Sequence, residues 1–368
     1  MVGDPWNCAF ARRRCWRSGV SPPKPSCESG VVDVLLVTHD SFHAHETGRW
    51  HPERPERLDA AVRGVHTAGL PVRELAAPEV DRPLLERFHA PDYVRSIERF
   101  CAAGGGSLDP DTPVVAASWP AALRAAGAGI AAIDALAEAH NLTAFAAVRP
   151  PGHHALTARA MGFCLFNNVG LAAQHILDRG ERVAIVDWDV HHGNGTEDSF
   201  ASVDDVLYLS FHQHPFYPGT GWLAGIGSGD TVGTTVNVPV PAGTAGDVYR
   251  DGFDRIAAPL VRQFAPDWIL VSAGYDAHAA DPLAEVRLLA SDYAYMAAAI
   301  HPLVGDARVI YFLEGGYDLE AIESSVRATL LGGHGSGVPD EPVRPTSPIV
   351  AWKALEDARA SAAKFWNL

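Results

Sequence analysis

Six apolar runs punctuate the chain, and each stops abruptly at polar residues. Val31 to Val37 ends at Thr38-His39-Asp40, and Ala144 to Val148 breaks at Arg149-Pro150-Pro151-Gly152 and presents His153-His154. The run that starts at Val183 delivers Asp187, Asp189, His191 and His192 before Gly193-Asn194-Gly195. Val206 to Phe211 leads through Ser210 into His212-Gln213-His214, Trp268 to Ala273 into Gly274-Tyr275-Asp276, and Arg308 to Leu313 into Glu314-Gly315-Gly316-Tyr317. Continuous apolar runs of this length are how parallel strands buried on both faces read. Between them the spacing predicts helices over Pro55 to Gly69, Arg82 to Gly104, Trp119 to about His140, Asn168 to about Arg179, and Asp247 to Phe264. One more precedes Arg308, and a last one from Leu319 to about Leu330 closes the domain. Alternation of this kind predicts an α/β fold: a single domain over 31–368 with a mostly parallel central sheet and helices on both faces. In such sheets ligands bind beyond the carboxyl ends of the strands, where these polar clusters fall.

Composition narrows the partners. The chain has 368 residues, 47% of them hydrophobic, enough for one large core. A formal net charge of −15 repels a phosphate backbone, so no nucleic-acid partner is expected, and no apolar run approaches membrane-spanning length. Met1 to Gly30 stands apart, with Arg12-Arg13-Arg14, the turn-rich stretch Ser21 to Pro25, and three of the five cysteines. No apolar core follows the arginines, so the segment is expected to be a poorly ordered tail and not a secretory signal. The scattered cysteines read as reduced thiols of a cytoplasmic protein. A homo-oligomer is compatible with this composition. The long loop from His43 to Pro55, with His45, Trp50, His51, Glu53 and Arg54, is expected to be a functional rim or lid.

The densest polar cluster follows Val183. Asp189 and His191 sit two residues apart, so an extended chain points both to one side of the sheet. Buried carboxylates there need a positive compensator, and a divalent metal is the simplest one. With Asp276 they offer two oxygens and one nitrogen and leave a position open for water or substrate, which is the mark of a catalytic site. His153 and His154 are both candidates for the base, and Asp187 and Asn194 are each free to accept an imidazole N–H. Tyr317, on a Gly-Gly turn, could donate its hydroxyl to a developing oxyanion. These parts amount to metal-assisted hydrolysis of an acyl group.

Four segments carry a resemblance: Arg149-Pro-Pro-Gly-His-His154, Met161-Gly-Phe-Cys-Leu-Phe-Asn-Asn168, Val186-Asp-Trp-Asp-Val-His-His-Gly-Asn-Gly195 and Glu314-Gly-Gly-Tyr317. In this order they resemble the histone deacetylase family, in its class II and bacterial amidohydrolase-like branch. The resemblance implies an arginase/deacetylase fold and one zinc ion per chain, held by Asp189, His191 and Asp276. The implied reaction is hydrolysis of an acyl-amide on a lysine-like side chain or a related amine. It further implies that His153, paired with Asp187, stays largely protonated, that His154 is the general base and acid, and that Tyr317 polarises the carbonyl. Phe163 and Tyr217 match the walls of the acyl-lysine tunnel, Gly162 supplies a carbonyl near the scissile amide, and Leu283 falls at the tunnel mouth. A structural potassium site falls on Asp187, Ser210 and the carbonyls of Asp189, His191 and Phe211. Asn194 departs from class I members, which carry Asp there, and agrees with class II. Asp109 and Asp111 both lie in the loop of the rim aspartate. Cys164 is read as a packed thiol, and His192 receives no role.

Three other readings compete. An acetylpolyamine amidohydrolase of the same fold would call for an acidic gatekeeper or a loop insertion narrowing the entrance, but Leu283 is apolar and the loop from Gly104 to Trp119 is short. A binuclear manganese ureohydrolase would need further Asp and His ligands. A non-catalytic acyl-lysine binding protein would be expected to have lost Tyr317 or His154.

Overall fold

The apolar runs become parallel strands. The computed structural model describes residues 33–139, 141–305, 308–337 and 344–368; the expected tail, Met1 to Gly30, lies outside the described residues. In chain order the elements begin with β1 (Asp33–Thr38), α1 (Glu56–Thr67), β2 (Val72–Ala76), α2 (Arg82–Phe88), α3 (Pro91–Ala102), β3 (Gly105–Ser107), β4 (Pro113–Val115) and α4 (Ser118–Ala137). There follow β5 (Leu142–Ala146), α5 (Asn168–Asp178), β6 (Val183–Asp187), α6 (Asn194–Phe200), β7 (Val206–Gln213) and β8 (Thr235–Val240). The last are α7 (Gly246–Gly252), α8 (Ala258–Phe264), β9 (Trp268–Ala273), α9 (Ala290–Ile300), β10 (Val309–Leu313), α10 (Leu319–Gly333) and α11 (Ile349–Ala362). A π-helical turn, Phe253–Ala257, joins α7 to α8, so the long helix expected there is present with one irregular turn.

The central sheet has eight strands in the order β2-β1-β5-β10-β9-β6-β7-β8, all parallel. Every residue of β5, β6, β7, β9 and β10 is buried, because helices cover both faces. Successive residues of β10 show how: Phe312 packs on Gly129 of α4, while Tyr311 turns the other way toward Trp188 and, beyond it, Tyr293 of α9. The chain lays down β6 at a distance from β5, and only later do β9 and β10 fill the gap. The carboxyl ends of β5, β10, β9 and β6 therefore stand side by side.

Several elements differ from the sequence reading. The helix expected over Arg82 to Gly104 breaks at Pro91, which lacks an N–H and forces Ala90 out of the helical region (ψ 131°). The break frees His89 to accept the main-chain N–H of Asn167 (2.9 Å) at the start of α5, which Asn167 caps. The loop from Gly104 to Asp111 contains a strand that pairs with β4 as a small antiparallel ribbon. Ser210 lies inside β7 and not beyond it, because β7 continues to Gln213 alongside β8. The edge strand β2, the short α6 and the terminal α11 went unpredicted, and α11, not α10, closes the fold. Finally, α4 is long and apolar enough to cross a membrane by length and composition, contrary to expectation; here its small residues pack against β1, β5, β10 and α5.

Candidate active site

β6 ends at Asp187, and the residues after it supply the first two candidate metal ligands, Asp189 and His191. Asp189, His191 and Asp276 bring one ligand atom each to within 4.8 Å of one another. Both carboxylates are fully buried, and the His191 side chain is only 12% exposed. His191 Nδ1 lies 3.2 Å from Asp189 Oδ1 and 3.0 Å from Asp276 Oδ2. The other oxygens are held from outside: Gly315 donates to Asp189 Oδ2 (2.7 Å) and Val190 to Asp276 Oδ1 (2.8 Å). A Cβ at Gly315 would collide with Asp276, so only glycine lets this turn close over the carboxylates. Burial and the charge of Asp189 push the Asp276 carboxyl above its ordinary pKa, while His153 and His191 outweigh burial and hold Asp189 low. Two buried carboxylates and an imidazole that lean on each other's protons fit a divalent cation as the missing charge.

β5 contributes the histidine pair. His153 Nδ1 lies 3.0 Å from Asp187 Oδ2; burial disfavours its charge, but Asp187 and Asp189 outweigh that and raise its pKa to about 10. His154 Nδ1 faces Asn194 Oδ1 at 2.8 Å, with Asn194 Nδ2 directed to the His154 carbonyl and Met161 Sδ. Burial, then the neighbouring His153 and His191, push His154 well below its usual value. One histidine is thus held charged and the other neutral, and Nε2 of the neutral one is left without a proton. Burial, reinforced by Asp276, lifts the Tyr317 hydroxyl well above its ordinary pKa, so it stays a donor.

The cleft above these groups is lined by Asp111, Pro151, His153, His154, Gly162, Phe163, His191, Tyr217, Leu283, Gly315 and Tyr317. Phe163 stands edge-on to Tyr317 (6.0 Å between centroids), Tyr217 edge-on to His154 (5.2 Å), and Leu283 is 38% exposed at the opening. Of the two aspartates in this loop, Asp111 lines the cleft, and Asp109 accepts the main-chain N–H of Asp111 (3.1 Å). Asp187 and Ser210 sit opposite each other in the register of β6 and β7, and the Ser210 hydroxyl is 2.9 Å from His212 Nδ1. Cys164 is buried, its thiol 3.3 Å from the Gly162 carbonyl and raised by burial.

Other residues take up places that the sequence did not announce. Phe216 stacks on His191 (5.0 Å, 20°). His192, which had no role, lies between Thr220 and Glu197 (2.8 Å to each) and so ties the loop bearing Tyr217 to α6. Phe163 holds a left-handed φ of +68°, a conformation costly for an aromatic residue, and is pinned there by the Thr112 hydroxyl (3.1 Å) and the His51 ring (4.7 Å). Beneath the cleft, buried Glu53 pairs with Arg149 and Arg57. The His43 to Pro55 loop, expected to be a rim or lid, sets His51 against Phe163 and buries Glu53 between Arg149 and Arg57. Only the unusual charge density of that loop signalled these placements.

Comparison with known proteins follows the same lines. Residues 51–332 match the model of the histone deacetylase domain. The chain is 40% identical over 293 residues to a probable deacetylase of Archaeoglobus fulgidus, covering 77% of this chain and 81% of that one. It is 38% identical over 276 residues to a histone deacetylase-like amidohydrolase of Pseudomonas aeruginosa, covering 73% and 72%. The crystal structure of the HDA15 HD domain superposes with a TM-score of 0.84 at 32% identity, covering 92% of this chain and 96% of that one. Because the matched span takes in every residue that lines the cleft, the chain belongs to the histone deacetylase family and is a hydrolytic deacetylase.

Proposed function

We propose that the cleft hydrolyses the amide of an acylated primary amine, with an acyl-lysine side chain as the leading substrate, and that it does so with zinc. The observation that carries this reading is the convergence, in one narrow cleft, of a metal-ligand triad, a neutral histidine and a tyrosine hydroxyl. A zinc ion at Asp189, His191 and Asp276 would polarise the scissile carbonyl and acidify the attacking water. His154 Nε2 takes the water proton, since Asn194 occupies Nδ1. Tyr317 donates its hydroxyl to the oxyanion as the tetrahedral centre forms. His154 then returns its proton to the amine nitrogen, the C–N bond breaks, and the carboxylate product leaves. His153 keeps its proton and offsets the carboxylates of Asp187 and Asp189. Phe163 and Tyr217 enclose the aliphatic chain, the Gly162 carbonyl accepts the amide N–H, and Asp111 meets the substrate at the rim. Apolar Leu283 at the mouth supports lysine over a polyamine. Asp187 and Ser210, opposite each other in β6 and β7, would with the carbonyls of Asp189, His191 and Phe211 supply the all-oxygen ligands that a potassium ion takes.

Turnover of acetyl-lysine peptides and of acetylated polyamines, with and without chelator, tests this reading. The expected outcome is preference for the peptide, loss of activity on chelation and recovery on adding zinc. Tyr317→Phe should lower kcat by roughly 10²–10³ with metal retained, the scale of losing one oxyanion donor. Chelator-insensitive turnover, or a fully active Tyr317→Phe protein, would count decisively against it.

A further inference from the structure

Tyr317 stands on a turn with little stiffness of its own. Gly315 and Gly316 precede it, and Gly316 takes a φ of +113°. Two buried side chains grip this turn from different elements. Arg57 of α1 donates to the carbonyls of Gly316 and Glu314 and lies 5.0 Å from the centroid of the Tyr317 ring. Asp281, five residues beyond Asp276 on the loop leaving β9, takes the main-chain N–H of Tyr317 at Oδ2 (2.6 Å) and that of Asp318 at 3.4 Å. Its Oδ1 accepts from Leu283 N–H (3.0 Å).

Asp281 is only 6% exposed, and the hydrogen bonds it accepts among the described residues all come from main-chain N–H groups. A carboxylate placed so deep with no cation in contact among the described residues is costly to bury, and what it gives in return is the fixing of three amides. Those amides belong to the mouth residue Leu283 and to the start of the segment that carries the hydroxyl. Through Asp281, the turn from β10 is locked to the loop from β9 that supplies Asp276.

We propose that Asp281 is a positioning residue for deacylation: its carboxylate holds the main chain of Tyr317 so that the hydroxyl meets the oxyanion. The inference rests on the role assigned to Tyr317 above. A misplacement of about 1 Å at such a group costs on the order of 100-fold in rate, whereas binding of the substrate chain, which Phe163 and Tyr217 enclose, is little affected.

Steady-state kinetics on an acetyl-lysine peptide, with zinc content measured alongside, tests it in wild type, Asp281→Asn, Tyr317→Phe and the double variant. Asparagine keeps the size of Asp281 but sets an N–H against a main-chain N–H at one of its two positions. Asp281→Asn should lower kcat on the order of 10- to 100-fold, keep KM within about threefold and keep full zinc content. Because Asp281 acts through the tyrosine, the double variant should be no slower than Tyr317→Phe alone. If the amide variant does not fold, Asp281→Ser, which retains one short acceptor, carries the same comparison. An unchanged kcat overturns the proposal, as does a loss that adds in full to that of Tyr317→Phe or one that follows zinc content. A fully active Tyr317→Phe would instead strike at the role of the tyrosine, and the two failures are told apart by that single variant.

Discussion

Burial keeps the proposed base His154 neutral, and Asn194 adds no charge that would oppose it. A neutral carbonyl oxygen orients the imidazole and leaves its pKa well below the usual value, whereas a carboxylate there would stabilise the protonated ring. Asn194→Asp should therefore raise the His154 pKa, and the acid limb of the kcat/KM profile should move to higher pH. A profile between pH 5 and 8 checks this, and an unmoved limb would mean that His154 is not the base. Gly162 is constrained by space as well as by its φ of +56°, since a Cβ there would run into the His154 ring. Gly162→Ala should abolish most turnover through the displaced ring while the fold, followed by circular dichroism, is kept.

Elements set the frame that these residues need. The terminal helix α11 lies against β8 and α7, with Ala351, Leu355, Ala358 and Ala362 buried and the Trp366 indole donating to the Gly233 carbonyl (2.7 Å). It covers the last strand of the sheet from a place remote from the cleft. Leu355→Ala should cost about 2–5 kcal/mol, the usual range for emptying a well-packed leucine site, with kcat and KM unchanged below the unfolding transition. Urea denaturation measures the loss, and a cost under about 1 kcal/mol would mean that the helix is loosely attached. The legibility of elements followed their burial. Strands β5, β6, β9 and β10 were readable because both faces are covered and their sequences are almost wholly apolar, broken only by Thr143, Asp187 and Ser272. The edge strand β2, Val-Arg-Glu-Leu-Ala, is half exposed and has no such pattern. The break at Pro91 was visible in principle, both in the proline and in the apolar positions: on one continuous helix Leu84, Leu85 and Phe88 would face away from Tyr93, Val94 and Ile97.

At the scale of the molecule, buried neutral histidines make the fold sensitive to acid. Burial lowers His45, His89 and His301 from 6.5 to about 4. Each is neutral when folded but takes a proton below pH 6.5 once unfolded, so its contribution is complete above pH 6.5 and is lost as the pH falls toward 4. Each such shift corresponds to roughly 3 kcal/mol. Glu53 extends the trend: Arg149 and Arg57 outweigh burial and hold it at about 2, so its contribution is present above pH 4.5 and fades below. The melting temperature should fall steeply between pH 6.5 and 4, and His301→Gln should flatten part of that slope. A melting temperature that stays level over this range would contradict the burial of these rings as neutral groups.

The sequence by itself determined which residues form the site. Apolar runs buried on both faces make any ionisable group at their ends conspicuous, so Asp189, His191, Asp276, His153, His154 and Tyr317 could be read without coordinates. Asp187 and Asn194 were legible as partners of the two histidines from their place in the same run, whereas Ser210, which lies inside β7, was singled out only by the family resemblance. Tertiary structure alone decided how these ends come together: in the strand order β5-β10-β9-β6, β10 is inserted beside β5, where Ile310 pairs with Ala144, and β9 beside β6, where Leu270 pairs with Ile185. It also placed Asp111 in the lining of the cleft and recruited Asp281, Thr112 and His51, whose roles consist of long-range contacts to a main-chain N–H or a ring. Such contacts depend on where a distant backbone passes, and local sequence carries no periodicity or motif that records it.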